Sequence, residues 1–306
     1  MIVSATQVSR WYGEVIGVND VTCVIEPGIT ALLGMNGAGK TTLIRLITGQ
    51  LRPTTGDLRV FGLEPFGNPE VYRRMGYCPE IDNFYEHYTG RDFVRFLARL
   101  DGMNAKEAMT RADEVIDMVG MTERAGRKIA GYSKGMRQRI KLAQAMLHEP
   151  ELILLDEPLN GLDPVGRREF MDLLGGLANQ GKAILVSSHI LFEVEQMTRS
   201  LLLLHRGRLL ATGDLGVIRS LIDKHPHQIR IETDEPRKAA ALLAALPNIV
   251  SIKFDRSGES IQLEVHEPSA FYNALATAVL ERGLSIRGLS SPDNNLESVF
   301  KYLVEA

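Results

Sequence analysis

The sequence predicts an α/β fold with a largely parallel sheet, followed by a small α+β domain. A glycine-rich stretch, residues 34–42, lies between an apolar run and a helical pattern. Two further apolar runs, residues 152–155 and 183–188, have the character of buried parallel strands. From about Gly213 the predicted elements follow the order βαββαβ. These observations favour two domains in a chain of 306 residues.

Composition is that of an ordinary soluble globular protein, with 44% hydrophobic and 24% charged residues. A net charge of −3 gives no electrostatic footprint for nucleic acid, so no nucleic-acid partner is expected. The two cysteines, Cys23 and Cys78, lack metal-ligand spacing and favour a reducing compartment. No apolar run approaches the roughly 18 residues of a membrane span, and the first residues lack a signal-peptide pattern. We therefore expect another chain to supply any membrane part.

The glycine-rich stretch fits the phosphate-binding pattern G-x-x-x-x-G-K-[ST]. A predicted strand over residues 29–33 precedes it and a predicted helix over residues 41–48 follows it. Its glycines let the backbone wrap closely around phosphates, and successive N–H groups form an anion site at a helix N-terminus. Lys40 would then reach the β- and γ-phosphates, and the Thr41 hydroxyl would ligate Mg²⁺. The complete pattern in this context disfavours a chance glycine-rich turn.

The first part of the chain predicts strands over residues 2–8 and 21–25, with Trp11, Tyr12 and Gly13 between them. A turn at residues 27–28 leads into the strand before the phosphate loop. Tyr12 is a candidate platform for a nucleobase. The alternative is an aromatic packed at a sheet edge, which residue type alone favours.

Helices are predicted in the middle of the chain, after a loop over residues 52–57 and strands over 58–61 and 75–80. Thr89 with Asp92, and Asn104 with Glu107, form capping boxes for helices that reach Leu100 and Val119. An apolar stripe at helical spacing predicts core packing. Its members are Phe93, Phe96, Leu97 and Leu100.

Polar side chains follow both central apolar runs. Asp156 and Glu157 come directly after residues 152–155, and ligands of open α/β sheets lie beyond such strand ends. A metal ligand and a general base are favoured there over acids that merely end a strand in solvent. His189 ends the next run, where a structural and a functional role are equally supported. Ser133 predicts an N-cap for the helix through Met146, and capping is its default explanation.

The last part of the chain predicts a ferredoxin-like domain with one added helix. Its predicted strands and helices alternate through residues 228–289, with a turn at 257–258, and the added helix covers residues 296–304. A connection over residues 221–227 joins this part to a predicted hairpin of residues 201–211.

By these motifs the chain resembles the nucleotide-binding subunits of ABC transporters over roughly residues 1–215. Residues 34–42 resemble the Walker A loop, 77–80 the Q-loop and 132–138 the family signature. Residues 152–157 resemble Walker B with the catalytic glutamate, 160–163 the D-loop, His189 the switch histidine and Tyr12 the A-loop aromatic. The subgroup it most resembles is the drug- and polysaccharide-export type (ABC-2), and residues 296–300 resemble that subgroup's accessory tail.

The resemblance implies a P-loop NTPase with a RecA-like core, an antiparallel β-subdomain and a helical insert of about residues 82–146. The domains would be 1–215 and 216–306. It also implies an ATPase with ATP and Mg²⁺, in which Glu157 is the base, Asp156, Thr41 and Glu80 bind metal, and His189, Lys40 and Glu80 act in catalysis. The residues implied to bind ATP are Tyr12, Gly34, Asn36, Gly37, Ala38, Gly39, Lys40, Thr41, Thr42, Ser133, Gly135 and Asp163.

The implied partners are a membrane permease and a second nucleotide-binding subunit, which places the protein at the cytoplasmic face of a membrane. In such a dimer Ser133 and Gly135 would face the partner's ATP. The sequence departs from the family pattern at Lys134, which stands for a signature glycine, at Glu80, which stands for the Q-loop glutamine, and at Met35, which stands for a common proline. Two alternatives remain: a soluble ABC ATPase acting on ribosomes or nucleic acid without a permease, and a C-terminal ligand sensor with the ATPase as its output.

Overall fold

The computed structural model describes residues 1–214, 226–255 and 258–291. Contacts divide the chain into two units, Met1–Asp214 and Leu215–Ala306. No helix in the described part of the chain is both long and apolar enough to cross a membrane. The predicted last helix, most of the predicted connection over 221–227, and Ser257 lie outside the described residues.

The first unit contains nine strands and seven α-helices among its described residues. The strands are β1 (Val3–Tyr12), β2 (Val15–Ile25), β3 (Gly28–Leu33), β4 (Thr55–Val60), β5 (Met75–Cys78), β6 (Leu152–Leu155), β7 (Ala183–Ser188), β8 (Ser200–His205) and β9 (Arg208–Asp214). The helices are α1 (Lys40–Ile47), α2 (Pro69–Tyr72), α3 (Gly90–Leu100), α4 (Ala105–Met118), α5 (Lys134–Ala145), α6 (Pro164–Asn179) and α7 (Leu191–Met197).

The central sheet has six strands in the order β5-β6-β7-β3-β8-β9. All its pairs are parallel except β8 with β9. A separate antiparallel sheet has the order β2-β1-β4. Helices α3, α4 and α5 lie between β5 and β6 in the chain, as the predicted insert requires. The predicted α/β fold, with an antiparallel subdomain and a helical insert, is confirmed.

Strand β6 shows why the core has two faces. Side chains alternate along a strand, so Leu152 and Leu154 pack with α1 and the antiparallel sheet. Ile153 and Leu155 instead join the apolar cluster of the helical insert and α6. Because all four are fully buried, the strand is continuously apolar and its polar residues are confined to its carboxyl end.

The helix caps of the insert follow the predicted signals. Asn104 and Glu107 form the complete capping box of α4. Thr89 accepts a hydrogen bond from the Asp92 amide, but its hydroxyl donates to the Asp92 carboxylate at 2.6 Å, which replaces the second half of the predicted box. The predicted core stripe is wrong for Leu100, which is 68% exposed because α3 ends at this residue.

The N-terminal hairpin is longer than predicted. Trp11 and Tyr12 do not lie between two strands but form the end of β1, where Tyr12 pairs with Val15. A two-residue turn connects the strands, and Gly13 adopts the positive φ of 62° that it requires. Tyr12 is consequently held at the tip of a sheet and is 41% exposed.

The second unit contains four described strands, β10 (His227–Glu232), β11 (Ile249–Phe254), β12 (Ser260–Val265) and β13 (Gly288–Ser290), and two described helices, α8 (Pro236–Leu243) and α9 (Pro268–Arg282). The sheet order β11-β12-β10-β13 is fully antiparallel. This order, with helices after its first and third strands, is that of the predicted ferredoxin-like domain. Phe271 and Leu275 of α9 belong to its buried core.

Candidate functional site

A cavity of about 520 Å³ lies over the phosphate loop in the first unit. It is bordered by the loop, by the tip of the β1–β2 hairpin and by one acid from each of two strand ends. The lining residues are Tyr12, Val15, Ile16, Gly17, Met35, Asn36, Gly37, Gly39, Lys40, Thr41, Thr42, Glu80 and Glu157. The cavity thus combines an aromatic ring, a phosphate-binding backbone and two carboxylates.

The phosphate loop has the geometry that its glycines permit. Gly39 is the N-cap of α1 with φ 105°, and a Cβ there would collide with the backbone oxygen of Gly17. Gly37 has φ 80°. Because such angles are costly for other residues, these two positions need glycine. The loop therefore ends at the N-terminus of α1, where free amide groups and the helix dipole favour an anion.

Lys40 is 6% exposed and bridges the loop to β6. Its ammonium group donates to the backbone oxygens of Gly34 at 2.6 Å and Met35 at 3.3 Å. It also lies 3.0 Å from Oε1 of Glu157, which is equally buried. The pair neutralises two charges that burial would otherwise make costly, and it holds the ammonium group at the floor of the cavity.

Glu157 occupies a strained backbone position, with φ 47° in the left-handed region. Its amide donates to the Ser187 hydroxyl at 2.7 Å, and its Oε2 lies 3.0 Å from Nδ1 of His189. Strain of this kind persists only where surrounding contacts fix it, and it is concentrated at functional sites. The ends of β6 and β7 together aim the Glu157 carboxylate into the cavity.

Asp156 is 2% exposed and lies behind the cavity. One carboxylate oxygen accepts from the Thr41 hydroxyl at 2.9 Å, and the other accepts from the Ser187 hydroxyl at 2.7 Å. Thr41 in turn lines the cavity. The sequence thus predicted the acid and the threonine correctly as neighbours, but missed Ser187, whose only signal is a hydroxyl at the end of an apolar strand.

Tyr12 lies at the mouth of the cavity, next to Gly17 and Thr42. The Arg10 guanidinium lies 5.2 Å from its ring centre. Glu80 reaches the same cavity from the loop after β5, and its side chain is exposed. The hairpin residues Val15, Ile16 and Gly17 were not predicted to line the site. Val15 is 67% exposed, which its apolar side chain does not predict.

Three predicted ATP-binding residues do not meet the others. Ser133, Gly135 and Asp163 line a second cleft of about 640 Å³, which shares no lining residue with the first. Ser133 caps α5 by accepting from the Met136 amide at 3.3 Å. Asp163 is the N-cap residue of α6, but its side chain makes no capping hydrogen bond. This cleft offers the N-termini of two helices.

The remaining predicted residues act from behind the cavity wall. Gly34 contributes its backbone oxygen to Lys40, and Ala38 is buried within the loop. His189 and Asp156 contact residues of the cavity, Glu157 and Thr41, without lining it. The geometry therefore supports a nucleotide site over the phosphate loop, whereas Ser133, Gly135 and Asp163 lie in a separate cleft.

The chain resembles known proteins in sequence and in fold. A family model described as "ABC transporter" matches residues 18–160. The bacitracin transport ATP-binding protein BcrA of Bacillus licheniformis is 32% identical over 306 residues, 99% of this chain and 97% of that protein. The chain belongs to the ABC transporter family. As a member of that family it is an ATP-binding subunit that hydrolyses ATP, which confirms the resemblance drawn from its motifs.

Two further comparisons fit this ABC transporter assignment. The daunorubicin/doxorubicin resistance ATP-binding protein DrrA of Streptomyces peucetius is 31% identical over 273 residues, 89% of this chain and 82% of that protein. An ATP-binding cassette solved as a dimer in a post-hydrolysis state, with ADP and phosphate, has a TM-score of 0.63. It covers 70% of this chain and 99% of its own, at 23% identity, and so shows a common fold.

Proposed function

We propose that this ABC ATPase powers a membrane exporter whose permease is a separate chain. The ATPase part of the proposal rests on the Glu157 carboxylate, which a strained strand end, Lys40 and His189 hold beside the phosphate loop. BcrA and DrrA, which are named for bacitracin transport and drug resistance, support export as the direction. The protein would then work at the cytoplasmic face of a membrane.

The residues of the cavity fit Mg²⁺ together with ATP. The Thr41 hydroxyl and the buried Asp156 carboxylate lie 2.9 Å apart, and Glu80 shares the cavity. No cluster of three or more metal-ligating side chains occurs among the described residues. This agrees with Mg²⁺ in nucleotide sites, which takes one or two carboxylates and completes its shell with phosphate oxygens and water. The bound cation would neutralise charge on the β- and γ-phosphates.

Hydrolysis follows from the positions of Lys40, Glu157 and His189. When ATP binds, Lys40 exchanges the Glu157 carboxylate for phosphate oxygens, so the carboxylate is released to face water. Glu157 accepts a proton as that water attacks the γ-phosphorus, and the bond from the γ-phosphorus to the bridging oxygen breaks, leaving ADP. His189, held beside Glu157, would contact the γ-phosphate and stabilise its developing charge.

Two copies of the chain would form the working unit. The second cleft presents Ser133 and Gly135 at the N-terminus of α5, and it shares no residue with the cleft that holds Lys40. A helix N-terminus favours an anion, so a γ-phosphate offered by a second copy would fit there. A cassette of the same fold was solved as a dimer, which supports pairing of two copies. We infer a homodimer with two ATP molecules between the copies.

The permease would dock beside the loop that carries Glu80. A groove of about 480 Å³ lies there, with Phe84, Tyr85 and Phe93 in its wall. Phe84 and Tyr88 pack against the insert, whereas Tyr85 is 52% exposed. Burial raises the pKa of Tyr77, in the same groove, to about 12, so its phenol stays neutral. Exposed aromatic side chains favour protein interfaces.

The test is what co-purifies with the chain from detergent-solubilised membranes, with and without Tyr85→Asp. We expect one membrane permease with the wild type. Tyr85→Asp should lose both the permease and transport while basal phosphate release persists, and Tyr85→Phe is the control. Ribosomes or nucleic acid without any membrane chain would favour the soluble ABC alternative. Loss of basal phosphate release together with transport would assign Tyr85 a folding role.

A further inference from the structure

Lys141 is a buried charge that the proposed mechanism does not use. It lies in the middle of α5 and is 4% exposed. Burying an ammonium group is costly unless its N–H groups are satisfied, so a lysine here needs strong partners. Its nearest acceptors all come from one short segment, residues 79–82, which connects β5 to the insert.

Three acceptors surround the Lys141 ammonium group. It donates to the backbone oxygen of Pro79 at 2.8 Å and to that of Glu80 at 3.2 Å. It also forms an ion pair with the Asp82 carboxylate at 2.9 Å. The ammonium group thus donates to two backbone oxygens, and its charge is paired with that of Asp82. The Lys141 side chain therefore fixes the backbone on both sides of the Glu80 side chain.

Asp82 extends this link to the start of α5. Its second oxygen lies 3.4 Å from the Lys134 ammonium group, so one carboxylate joins two lysines two turns apart. Burial alone would raise the pKa of Asp82, but the contacts with Lys141 and Lys134 hold it below its usual value. Lys134, which departs from the glycine of the family signature, thus contacts the segment that carries Glu80.

We propose that Lys141 is a positioning residue that holds Glu80 in the nucleotide cavity. Lys141 lines the groove, whereas Glu80 lines the cavity, and the segment 79–82 connects them. A partner that moves this segment must break the Lys141 contacts, and Glu80 would leave the ATP. The proposal rests on the proposed function, because it assumes ATP in the cavity.

The test places a cysteine at position 80 and measures its maleimide labelling with and without ATP, in EDTA. The native Cys23 and Cys78 are buried, which raises their pKa values to about 11 and about 12, so they stay unreactive thiols. In Glu80→Cys, ATP should slow labelling by about 10-fold, since residue 80 then lies against the nucleotide. ATP binding is measured in the same samples by displacement of a fluorescent ATP analogue.

Added to Glu80→Cys, Lys141→Met keeps the apolar stem and removes all three donors. ATP should still bind, but its protection should fall below about 2-fold because residue 80 is no longer held. Lys141→Arg keeps the charge and should retain at least about 5-fold protection. Lys182→Met is the matched control, because Lys182 also donates to a backbone oxygen, that of Pro150 at 2.8 Å, away from the cavity. Lys182→Met should retain the full protection of residue 80 by ATP.

Full protection in Lys141→Met with ATP bound would overturn the proposal. If Lys141→Met does not fold, Asp82→Asn decides. It removes the charge of the one charged acceptor and should reduce protection to about 3-fold, whereas undiminished protection would overturn the proposal. A wild-type chain in which ATP does not displace the fluorescent analogue would instead overturn the proposed nucleotide site, and this proposal with it.

Discussion

The two clefts of the first unit differ in how their polar and charged groups are linked to one another. In the cavity over the phosphate loop, the charged groups are joined to one another: Lys40 to Glu157, Glu157 to His189, and Asp156 to Thr41. In the cleft at the start of α5, Arg139 and Glu169 form an ion pair at 2.7 Å, whereas the Ser133 hydroxyl caps its own helix. In the proposed dimer, each chain binds ATP in its first cleft, and the second cleft of the other copy completes the site for hydrolysis.

The largest effect is expected from Glu157→Gln. The amide keeps the shape but cannot accept the proton from water, so hydrolysis should fall by at least ~10²-fold. ATP binding should persist, and the unhydrolysed ATP should trap a dimer. Phosphate release and gel filtration with ATP and Mg²⁺ measure both. Glu151→Gln is the matched control, since Glu151 precedes the same strand at its other end and pairs with the exposed Arg74. Near wild-type turnover in Glu157→Gln would remove Glu157 from the role of base.

Gly135→Asp changes the second cleft. A Cβ at this position would lie 3.6 Å from Leu162, an ordinary contact, and an acid in the first turn suits the dipole of α5. The chain should therefore fold and bind ATP as a single copy. A carboxylate facing the partner's γ-phosphate is repelled, so hydrolysis and dimer formation should each fall by at least ~10-fold.

Gly135→Ala controls for the loss of glycine and should remain active. The measurements are ATP affinity at a protein concentration that keeps the chain monomeric, and turnover at high concentration. Weakened ATP binding by the isolated Gly135→Asp chain would contradict the comparison, because the second cleft would then contribute to its own chain's site.

The sequence predicts the contiguous parts of the nucleotide site better than the long-range contacts that support it. Residues 34–42 and 152–157 are contiguous, and their strand–loop–helix and strand–acid patterns depend on local geometry, which explains why the sequence could assign Lys40, Thr41 and Asp156 to one site, where the structure brings Thr41 and Asp156 into contact. Ser187 and Lys141 act through contacts with residues about 30 and about 60 positions away, respectively. Such contacts depend on strand order and on the packing of α5, and no local sequence pattern predicts them.

The same reasoning explains the helices that the sequence did not predict and the exposure of Leu100. Helix α2 spans four residues and α7 seven, so neither contains enough turns for an apolar periodicity to stand out. Leu100 has the right spacing for the core, yet lies at the last residue of α3. The spacing of apolar residues identifies one face of a helix, whereas the burial of each residue also depends on how far the neighbouring elements extend along that face.

Tyr12→Ala tests the mouth of the first cleft. The ring lies at the hairpin tip beside Thr42, where it can stack on a nucleobase. Its loss should weaken ATP binding by roughly 5- to 10-fold and leave turnover at saturating ATP unchanged. Tyr12→Phe should bind normally. Trp11→Ala is a matched control, because Trp11 is similarly exposed but points to the other face of β1.

The result that contradicts this role is equal ATP affinity for Tyr12→Ala and Trp11→Ala. Tyr12 would then be an aromatic packed at a sheet edge, the alternative that residue type favours. Equal loss of thermal stability in the two variants, with no change in affinity, would support the same conclusion.

The smallest effect is expected from ending the chain after Asp214. This cut preserves β9 to its last residue, which pairs with Ser200 of β8, and it removes only the second unit. All residues of the nucleotide cavity lie upstream, and a domain with its own core can fold alone, so ATP affinity should stay within about 2-fold. Turnover of the shortened chain then reports whether the second unit acts as a sensor.

A cut after Val265 is the informative counterpart. It keeps β10, β11 and β12 but removes α9, whose Phe271 and Leu275 cover the apolar side of that sheet. Exposed apolar residues on an incomplete sheet promote aggregation, so this longer chain should be less soluble than the shorter one. If the chain ended after Asp214 folds, as judged by its thermal melt, yet binds no ATP, the second unit would be part of the nucleotide site and the division of the chain proposed here would be wrong. If both cuts give soluble chains that bind ATP equally, α9 is dispensable for covering the sheet.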